Sequence, residues 1–471
     1  MEYDEAERVL FELPRSDARS GTASAAALWA ELGNPGSDIR FVQVAGSNGK
    51  GSTAKLTESI LREAGFSVGL FTSPHLETLD ERIRVDGEPI PEDAVAEYVE
   101  RIQPWLAKQV ADGNSPTFFE VITVMGLWYF ARRGVDVAVL EVGVGGADDA
   151  TSIVDPVASC VTTASLEHTG ALGETVAEIA AIQAGVAPSG ETPLVTGATG
   201  TTRALIRVAA DDVLTVGEPT IGGPEESDEQ PDISAQYEGR TGSMVGNISI
   251  EISAGIIDHP AFADGMSFAT RLTLLGAHQA RNAAIATALS GQVVTDAMVD
   301  SDDRGEAVDD SAASIDADVL SRGLRNARWP GRFEVIDRDP LVILDGAHNP
   351  EAIEALSQTL ATIEYNALHI VFGAMTNKAH TAMVDALPAA TAVRTCQPPI
   401  DRAAAPATLA RMFENAGYER VSVGDDVAAA VTTARDQAAP SDCVLVTGSL
   451  FVVGAARSML AARPVTPDTG G

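Results

Sequence analysis

The sequence predicts an α/β protein with two mostly parallel sheets. From residue 41 to about 200, short β-prone runs alternate with segments of helical spacing, and the alternation resumes at 333. Glycine-rich turns follow several of the predicted strands, where ligands of such sheets collect. In chain order, residues 1–40 have helical character and end in a loop at Asn34-Pro35-Gly36. Strands are expected at 41–45, 67–72, 135–142, 157–164 and 192–196. Leu56, Ile60, Leu61 and Ala64 recur at helical spacing, so Ser52 to Ala64 is expected to be a helix. Residues 217–242, rich in Gly, Pro, Glu and Asp, are expected to be a loop or acidic insertion. Residues 293–318 are acidic and low in large apolar side chains, and are expected to be a surface insertion or linker. A second set of strands is expected at 333–337, 341–345, 368–372, 391–395, 420–423 and 443–447. The expected division is 1–328 and 329–471, with no internal repeat.

The 471 residues are 45% hydrophobic, enough to bury cores in two or three domains. No apolar run reaches the ~18–20 residues that span a bilayer. The N-terminus MEYDEAERVL is acidic and lacks a signal-peptide core, which leads to the expectation of a soluble cytoplasmic protein. Cys160, Cys396 and Cys443 are scattered and suggest neither a disulfide framework nor a cysteine zinc site. The net charge of −35 disfavours nucleic acid and anionic membranes as partners. Only four lysines occur, Lys50, Lys55, Lys108 and Lys378. An acidic, lysine-poor surface on an apolar-rich chain suits molar salt, which screens the self-repulsion. With 67 acidic against 32 basic residues, the melting temperature is expected to rise from low to molar KCl. A melting temperature that stays flat or falls would remove the halophilic reading.

Residues 44–52 read VAGSNGKGS, between a predicted strand and a predicted helix. Such a turn aims backbone N–H groups and the positive end of a helix dipole at one point, which suits a phosphate. Most glycine-rich turns bind nothing, but a lysine inside one needs an anion. The strict P-loop pattern is not met, since no glycine stands five residues before Gly49 and Gly51 separates Lys50 from Ser52.

Four further stretches stand at predicted strand ends. Thr72-Ser73-Pro74-His75 offers a hydroxyl that could ligate Mg²⁺, or is a plain proline turn. Glu141 ends an apolar strand before Gly143-Val144-Gly145-Gly146 and has the character of a Mg²⁺-holding acid, or of a cap on a neighbouring helix. His168, in Leu166-Glu167-His168-Thr169, is one of seven histidines and is a candidate metal or phosphate ligand, or a solvated loop residue. Asp345-Gly346-Ala347-His348-Asn349-Pro350 is a candidate site or an Asx turn capping the next helix, with Pro330-Gly331-Arg332 upstream.

Together with ERI at 81–83, TFFE at 117–120, LGAHQARN at 275–282, VFGAMTNK at 371–378 and TGSLFVVG at 447–454, these motifs resemble the folylpolyglutamate synthase and dihydrofolate synthase family of the Mur ligase superfamily, from Val44 to Gly454. The resemblance implies a P-loop Mur-ligase-type domain and a smaller Rossmann-like C-terminal α/β domain. It implies ATP-dependent addition of L-glutamate to dihydropteroate or folate through an acyl phosphate, by a monomer using ATP and Mg²⁺, with K⁺ as a candidate further ion. Gly46, Ser47, Asn48, Gly49, Lys50, Gly51 and Ser52 would cradle the triphosphate, with Lys50 catalytic. Ser73 and Glu141 would hold one Mg²⁺ and His168 would serve a second. Asn282, Arg332 and Asp345 would bind ATP, and His348 would lie near the phosphates. Thr117, Phe118, Phe119, Glu120 and Asp149 would serve the pterin substrate.

Two positions depart from the family pattern. Gln183 stands where the family has a lysine that is carboxylated to bind the second metal, so no carbamate can form. Ala147 stands where the family has an arginine after paired glycines. Other Mur ligases are rivals; they usually carry a nucleotide-binding domain before the phosphate loop, and the 45 residues before Gly46 are expected to be too few for one. A rival of another class is a P-loop switch that binds nucleotide without ligation.

Overall fold

A computed structural model describes residues 1–15, 21–187, 192–210, 213–221, 232–238, 246–252, 266–303 and 315–461. The chain forms two compact units. The first comprises Met1–Tyr237, Asn247–Leu272 and His278–Ala327, and the second comprises Glu238–Gly246, Thr273–Ala277 and Arg328–Gly471.

The first unit holds an eight-stranded sheet. Its strands are β1 (Arg40–Ala45), β2 (Val68–Phe71), β3 (Ile83–Val85), β4 (Glu88–Pro89), β5 (Val137–Glu141), β6 (Pro156–Val161), β7 (Leu194–Thr196) and β8 (Val213–Thr215). They lie in the order β4-β3-β2-β5-β1-β6-β7-β8. Only the β2–β3 and β3–β4 pairs are antiparallel. The central strands are buried apart from Arg40 at the start of β1, as the near-continuous apolar runs require of a sheet covered on both faces. Gly69 in β2 has no side chain because a Cβ there would meet the Phe130 ring at 2.7 Å. The largest core of this unit gathers Leu10, Leu28, Phe71, Tyr98, Ile102, Trp128 and Phe130.

A smaller sheet has the order β12-β11-β10-β9, from β9 (Thr220–Ile221), β10 (Ile233–Glu238), β11 (Gly246–Ile252) and β12 (Ser267–Leu272). The expected loop at 217–242 therefore contains β9 and β10, with 222–231 and 239–242 outside the described residues. Ile233, Ala235 and Tyr237 alternate into the interior, a period-2 signal short enough to be hidden by the acidic flank. The expected insertion at 293–318 is corrected in the same way. A helix runs from Ala277 to Asp303, and another occupies Ala317–Asn326. Val293 and Val294 are fully buried, so packing carries the first helix into the acidic stretch. Residues 304–314 lie outside the described residues.

The second unit holds β13 (Glu334–Arg338), β14 (Leu341–Leu344), β15 (Leu368–Phe372), β16 (Ala392–Thr395), β17 (Val421–Val423) and β18 (Cys443–Thr447), in the order β13-β14-β18-β15-β16-β17. All neighbours are parallel except β13 and β14. Ile343, Ile370, Phe372, Val393, Leu409, Phe413 and Leu445 form its core.

Candidate active site

The phosphate-loop candidate leaves the carboxyl end of β1. Gly46 has φ +127°, and a Cβ there would lie 2.1 Å from Thr162 Oγ1 and 2.8 Å from Thr162 N. Gly49 has φ +89° and precedes the helix Lys50–Glu63. No L side chain fits the first position, and the second adopts the left-handed region that glycine enters without penalty. The turn is tied to the end of β6. Ser47 N donates to Thr163 O (2.8 Å), Asn48 N donates to Thr163 Oγ1 (3.1 Å) and Thr162 Oγ1 donates to Asn48 O (2.7 Å). The Lys50 ammonium folds back to donate to Gly46 O (2.6 Å) and Ser47 O (3.3 Å).

Register places the acid beside this loop. Val44 of β1 pairs with Glu141 of β5. Glu141 is buried and accepts from Ser73 N at 2.9 Å, just beyond β2, the other neighbour of β5. Ser73, Glu141, the glycine turn and Thr162–Thr163 thus occupy consecutive strand ends across β2-β5-β1-β6. His168, at φ +46°, lines one cleft with Gly46, Lys50, Gly143, Glu167 and Gln183. Asn282 is buried against the loop, since a Cβ on Gly49 would meet its Oδ1 at 2.6 Å. Its amide donates to Gln279 Oε1 (3.0 Å), and Gln279 Nε2 donates to Ser52 Oγ (3.4 Å).

The predicted substrate residues have internal partners. Thr117 and Glu120 form a capping box on the helix Phe118–Arg133, with Glu120 Oε2 accepting from Thr117 N (2.7 Å) and Oγ1 (2.8 Å). The Phe119 ring lies under Gly143, where a Cβ would come within 2.6 Å of it. Phe118 points to a separate cluster with Phe11. Asp149 is fully buried and latches the glycine turn, accepting from Val144 N (3.0 Å) and from Thr151 N (3.0 Å) and Oγ1 (2.7 Å). Burial pushes its carboxyl up from the usual range, against the pull of these bonds. Gln183 is buried too. In the amide orientation that satisfies both its ends, it donates to Thr163 O (3.3 Å) and accepts from Ser47 N (3.3 Å). It acts as a neutral brace on the loop while also lining the cleft.

In the second unit, Asp345 accepts from Phe333 N (2.8 Å) and Ala347 N (2.9 Å). Burial raises its carboxyl, opposed by the nearby Arg332 charge. His348 Nδ1 donates to Gly346 O (2.9 Å), since a carbonyl oxygen can only accept. Asn349 caps the helix Pro350–Leu360 by accepting from Ala352 N (2.9 Å), so the capping reading of this motif holds for Asn349. Of the residues that hold the loop, Thr162 and Thr163 carried no motif of their own, and Gln279 stood in LGAHQARN without an assigned role. Their hydroxyl and amide groups gain meaning only from strand pairing and helix packing.

Two family models match the chain: the Mur ligase middle domain over residues 44–290, and the Mur ligase glutamate ligase domain over residues 331–450. Fold and matched domains together define a Mur ligase. The chain is 32% identical over 470 residues to the folylpolyglutamate synthase of Lacticaseibacillus casei, covering 98% of this chain and 99% of that one. It is also 48% identical over 469 residues to a probable bifunctional folylpolyglutamate synthase/dihydropteroate synthase of Haloferax volcanii. There the alignment takes in all of this chain but 52% of the relative, so the chain spans about half the length of that protein. The structure of Mycobacterium tuberculosis folylpolyglutamate synthase complexed with ADP superposes with a TM-score of 0.81 at 27% identity, covering 98% of this chain and 99% of that one. The chain belongs to the folylpolyglutamate synthase/dihydrofolate synthase family.

Proposed function

We propose that this chain is an ATP-dependent ligase that joins L-glutamate to dihydropteroate, or to a folate already carrying glutamate, through an acyl phosphate. The observation that carries the reading is the alignment of Ser73, Glu141 and the Lys50 turn at adjacent carboxyl ends of one parallel sheet. A related structure is described as an FPGS–AMPPCP–folate complex, at TM-score 0.76 and 27% identity over 98% of this chain and all of that one.

In this reading the loop amides of Gly46–Ser52 and the Lys50 ammonium receive the triphosphate, with Asn282 behind them. An acceptor carboxylate oxygen bonds to the γ-phosphorus as the bond to ADP breaks. The glutamate amine then attacks the acyl carbon, phosphate leaves, and the amine proton passes to solvent. Most of the catalytic gain in phosphoryl transfer is positioning and charge neutralisation, which a rigid loop with a lysine supplies. Glu141 and Ser73 fit one Mg²⁺, because this ion keeps several waters and needs only one or two protein carboxylates. Mg²⁺ there would neutralise phosphate charge. Among the described residues no group of three His, Cys, Asp or Glu could hold a metal, and Gln183 is engaged with Ser47 and Thr163. A second ion would therefore rest on His168, water and phosphate. Arg332 and Asp345 as ATP contacts, His348 as a phosphate-facing group, and Thr117, Phe118, Phe119, Glu120 and Asp149 as substrate residues belong to the same proposal. So do K⁺ as a further ion and a monomeric cytoplasmic enzyme without nucleic-acid or membrane partners. The net charge of −35 supports that last part, as does the absence, among the described residues, of a helix long and apolar enough to cross a membrane.

The test offers dihydropteroate and tetrahydrofolate separately with ATP, Mg²⁺ and L-glutamate, and weighs the products. Glutamylated product with equimolar ADP is expected, at a rate indifferent to added bicarbonate because position 183 cannot form a carbamate. ADP release without a glutamylated product would favour a nucleotide switch. Ligation only to other acceptors would favour another Mur-type activity.

A further inference from the structure

One guanidinium in the second unit is buried without a counter-charge. Arg394, in β16, is 7% exposed. Its Nη2 donates to Gln437 Oε1, a neutral partner, and its Nη1 is buried with no partner. Burial lowers the group from its ordinary range, and no charged neighbour among the described residues opposes this. Arg435 and Arg457, on the helices Val427–Gln437 and Leu450–Ala461, are by contrast paired with Asp337 and Glu334. Register sets a second donor beside Arg394. Val371 of β15 pairs with Arg394 and His369 pairs with Ala392, so His369 and Arg394 are diagonal neighbours on one face of the sheet. His369 is 5% exposed, its Nε2 lies 3.5 Å from Asp442 Oδ2, and its Nδ1 is buried with no partner.

The rest of this face is apolar. Val371 and, across β18, Val444 and Val446 are fully buried, and the helix Val427–Gln437 packs over β15 and β16 with Ala430, Val431 and Ala434 buried. A buried donor left unmade loses its full desolvation, and a buried cation without counter-charge is costly. Water satisfies a donor but returns no charge. Two donors from adjacent strands within apolar walls suit a small, singly charged anion. A phosphate or sulfate brings more charge and more acceptor oxygens than this face has donors. Asp442 takes no part in that exchange, because its Oδ2 faces the other ring nitrogen and accepts from Ala439 N at 2.8 Å.

We propose that Arg394 Nη1 and His369 Nδ1 form a buried halide site in the second unit, taking chloride. An imidazolium at position 369 donates to Asp442 from Nε2 and to the anion from Nδ1, so carboxylate, imidazolium, chloride and guanidinium alternate in sign. The ion ties β15 to β16 and, through Gln437, to the end of the helix Val427–Gln437. Stability of the second unit thereby depends on which anion is present, apart from the general screening that a net charge of −35 asks of any salt.

Thermal melting of the full chain is followed at one fixed high potassium concentration while chloride replaces gluconate, a bulky anion. The parent's melting temperature is expected to rise by ~5 °C and then saturate, the scale of one ion held well above its Kd. Arg394→Gln is expected to lose that increment. In gluconate alone it is expected to melt no lower than the parent, since the uncompensated charge is gone. His369→Gln keeps a donor for Asp442 but lacks Nδ1, and is expected to raise the chloride concentration at half-effect several-fold. Crystals grown in potassium bromide are expected to show anomalous scattering from one bromide between Arg394 and His369. A chloride increment equal in the parent and Arg394→Gln would reduce it to a bulk salt effect and overturn the site. Water alone at that position in the bromide crystals would overturn it too. Should Arg394→Gln fail to fold, His369→Gln and the bromide map decide: an unchanged chloride midpoint together with no bromide peak ends the proposal.

Discussion

Lys50→Ala is expected to cut the proposed ligation by roughly 10²–10³-fold in kcat while leaving the far-ultraviolet dichroism unchanged, on the scale of losing one preorganised charge-stabilising donor. The lysine sits at the first position of the helix Lys50–Glu63, and its ammonium already lies over Gly46 O and Ser47 O. Those carbonyls hold the side chain over the mouth of the turn, so its charge needs little reorganisation to meet an incoming phosphate. Alanine is a good helix former, so the helix should survive the change. What goes is the one cation the loop itself provides. A folded Lys50→Ala protein with near-parental turnover would end the phosphate assignment.

Gly46→Ala is expected to damage both stability and activity. The new Cβ would sit 2.1 Å from Thr162 Oγ1 and 2.8 Å from a backbone nitrogen, at φ +127°. Overpacking of this kind costs about 1–3 kcal/mol. Holding an alanine at such a φ adds a further ~1–3 kcal/mol. The strain can be relieved only by pulling the turn away from β6, which breaks the Ser47–Thr163 and Asn48–Thr163 bonds. Urea unfolding should show an earlier first transition, and ADP binding should be lost before the fold is. An alanine variant as stable and as tight for ADP as the parent would show that loop and strand are not coupled as described.

Much of the architecture was legible in the chain itself. Unbroken apolar runs such as Val137–Leu140 and Val444–Val446 mark buried parallel strands, and the glycines at 46 and 49 mark a turn with special backbone angles. These signals are local, and local chemistry alone produces them. The short strands β3 and β4 were missed because charged and turn-forming residues occupy them, and their stability comes from pairing with β2. The acidic stretch after Val293 conceals a helix held by two buried valines behind it.

At the level of function, the sequence by itself determined which residue types stand at the strand ends, and hence the family and the phosphate-loop chemistry proposed for them. Tertiary structure decided what each group does. Lys50 and Lys55 look alike in a chain with four lysines, yet one donates to the carbonyls of the glycine turn and the other neutralises the buried Glu58 at 2.6 Å, in company with Arg62. Glu120 Oε2 and both carboxylate oxygens of Asp149, proposed as substrate groups, accept from nearby amides and hydroxyls. Gln183, read as a gap in a metal site, braces Ser47 against Thr163. Arg15 and Arg82 are 67 positions apart and meet over one phenyl ring. The physical reason is common to all of these. A side chain's charge, desolvation and hydrogen bonds depend on partners that are distant in sequence, and only the packing of strands and helices chooses those partners.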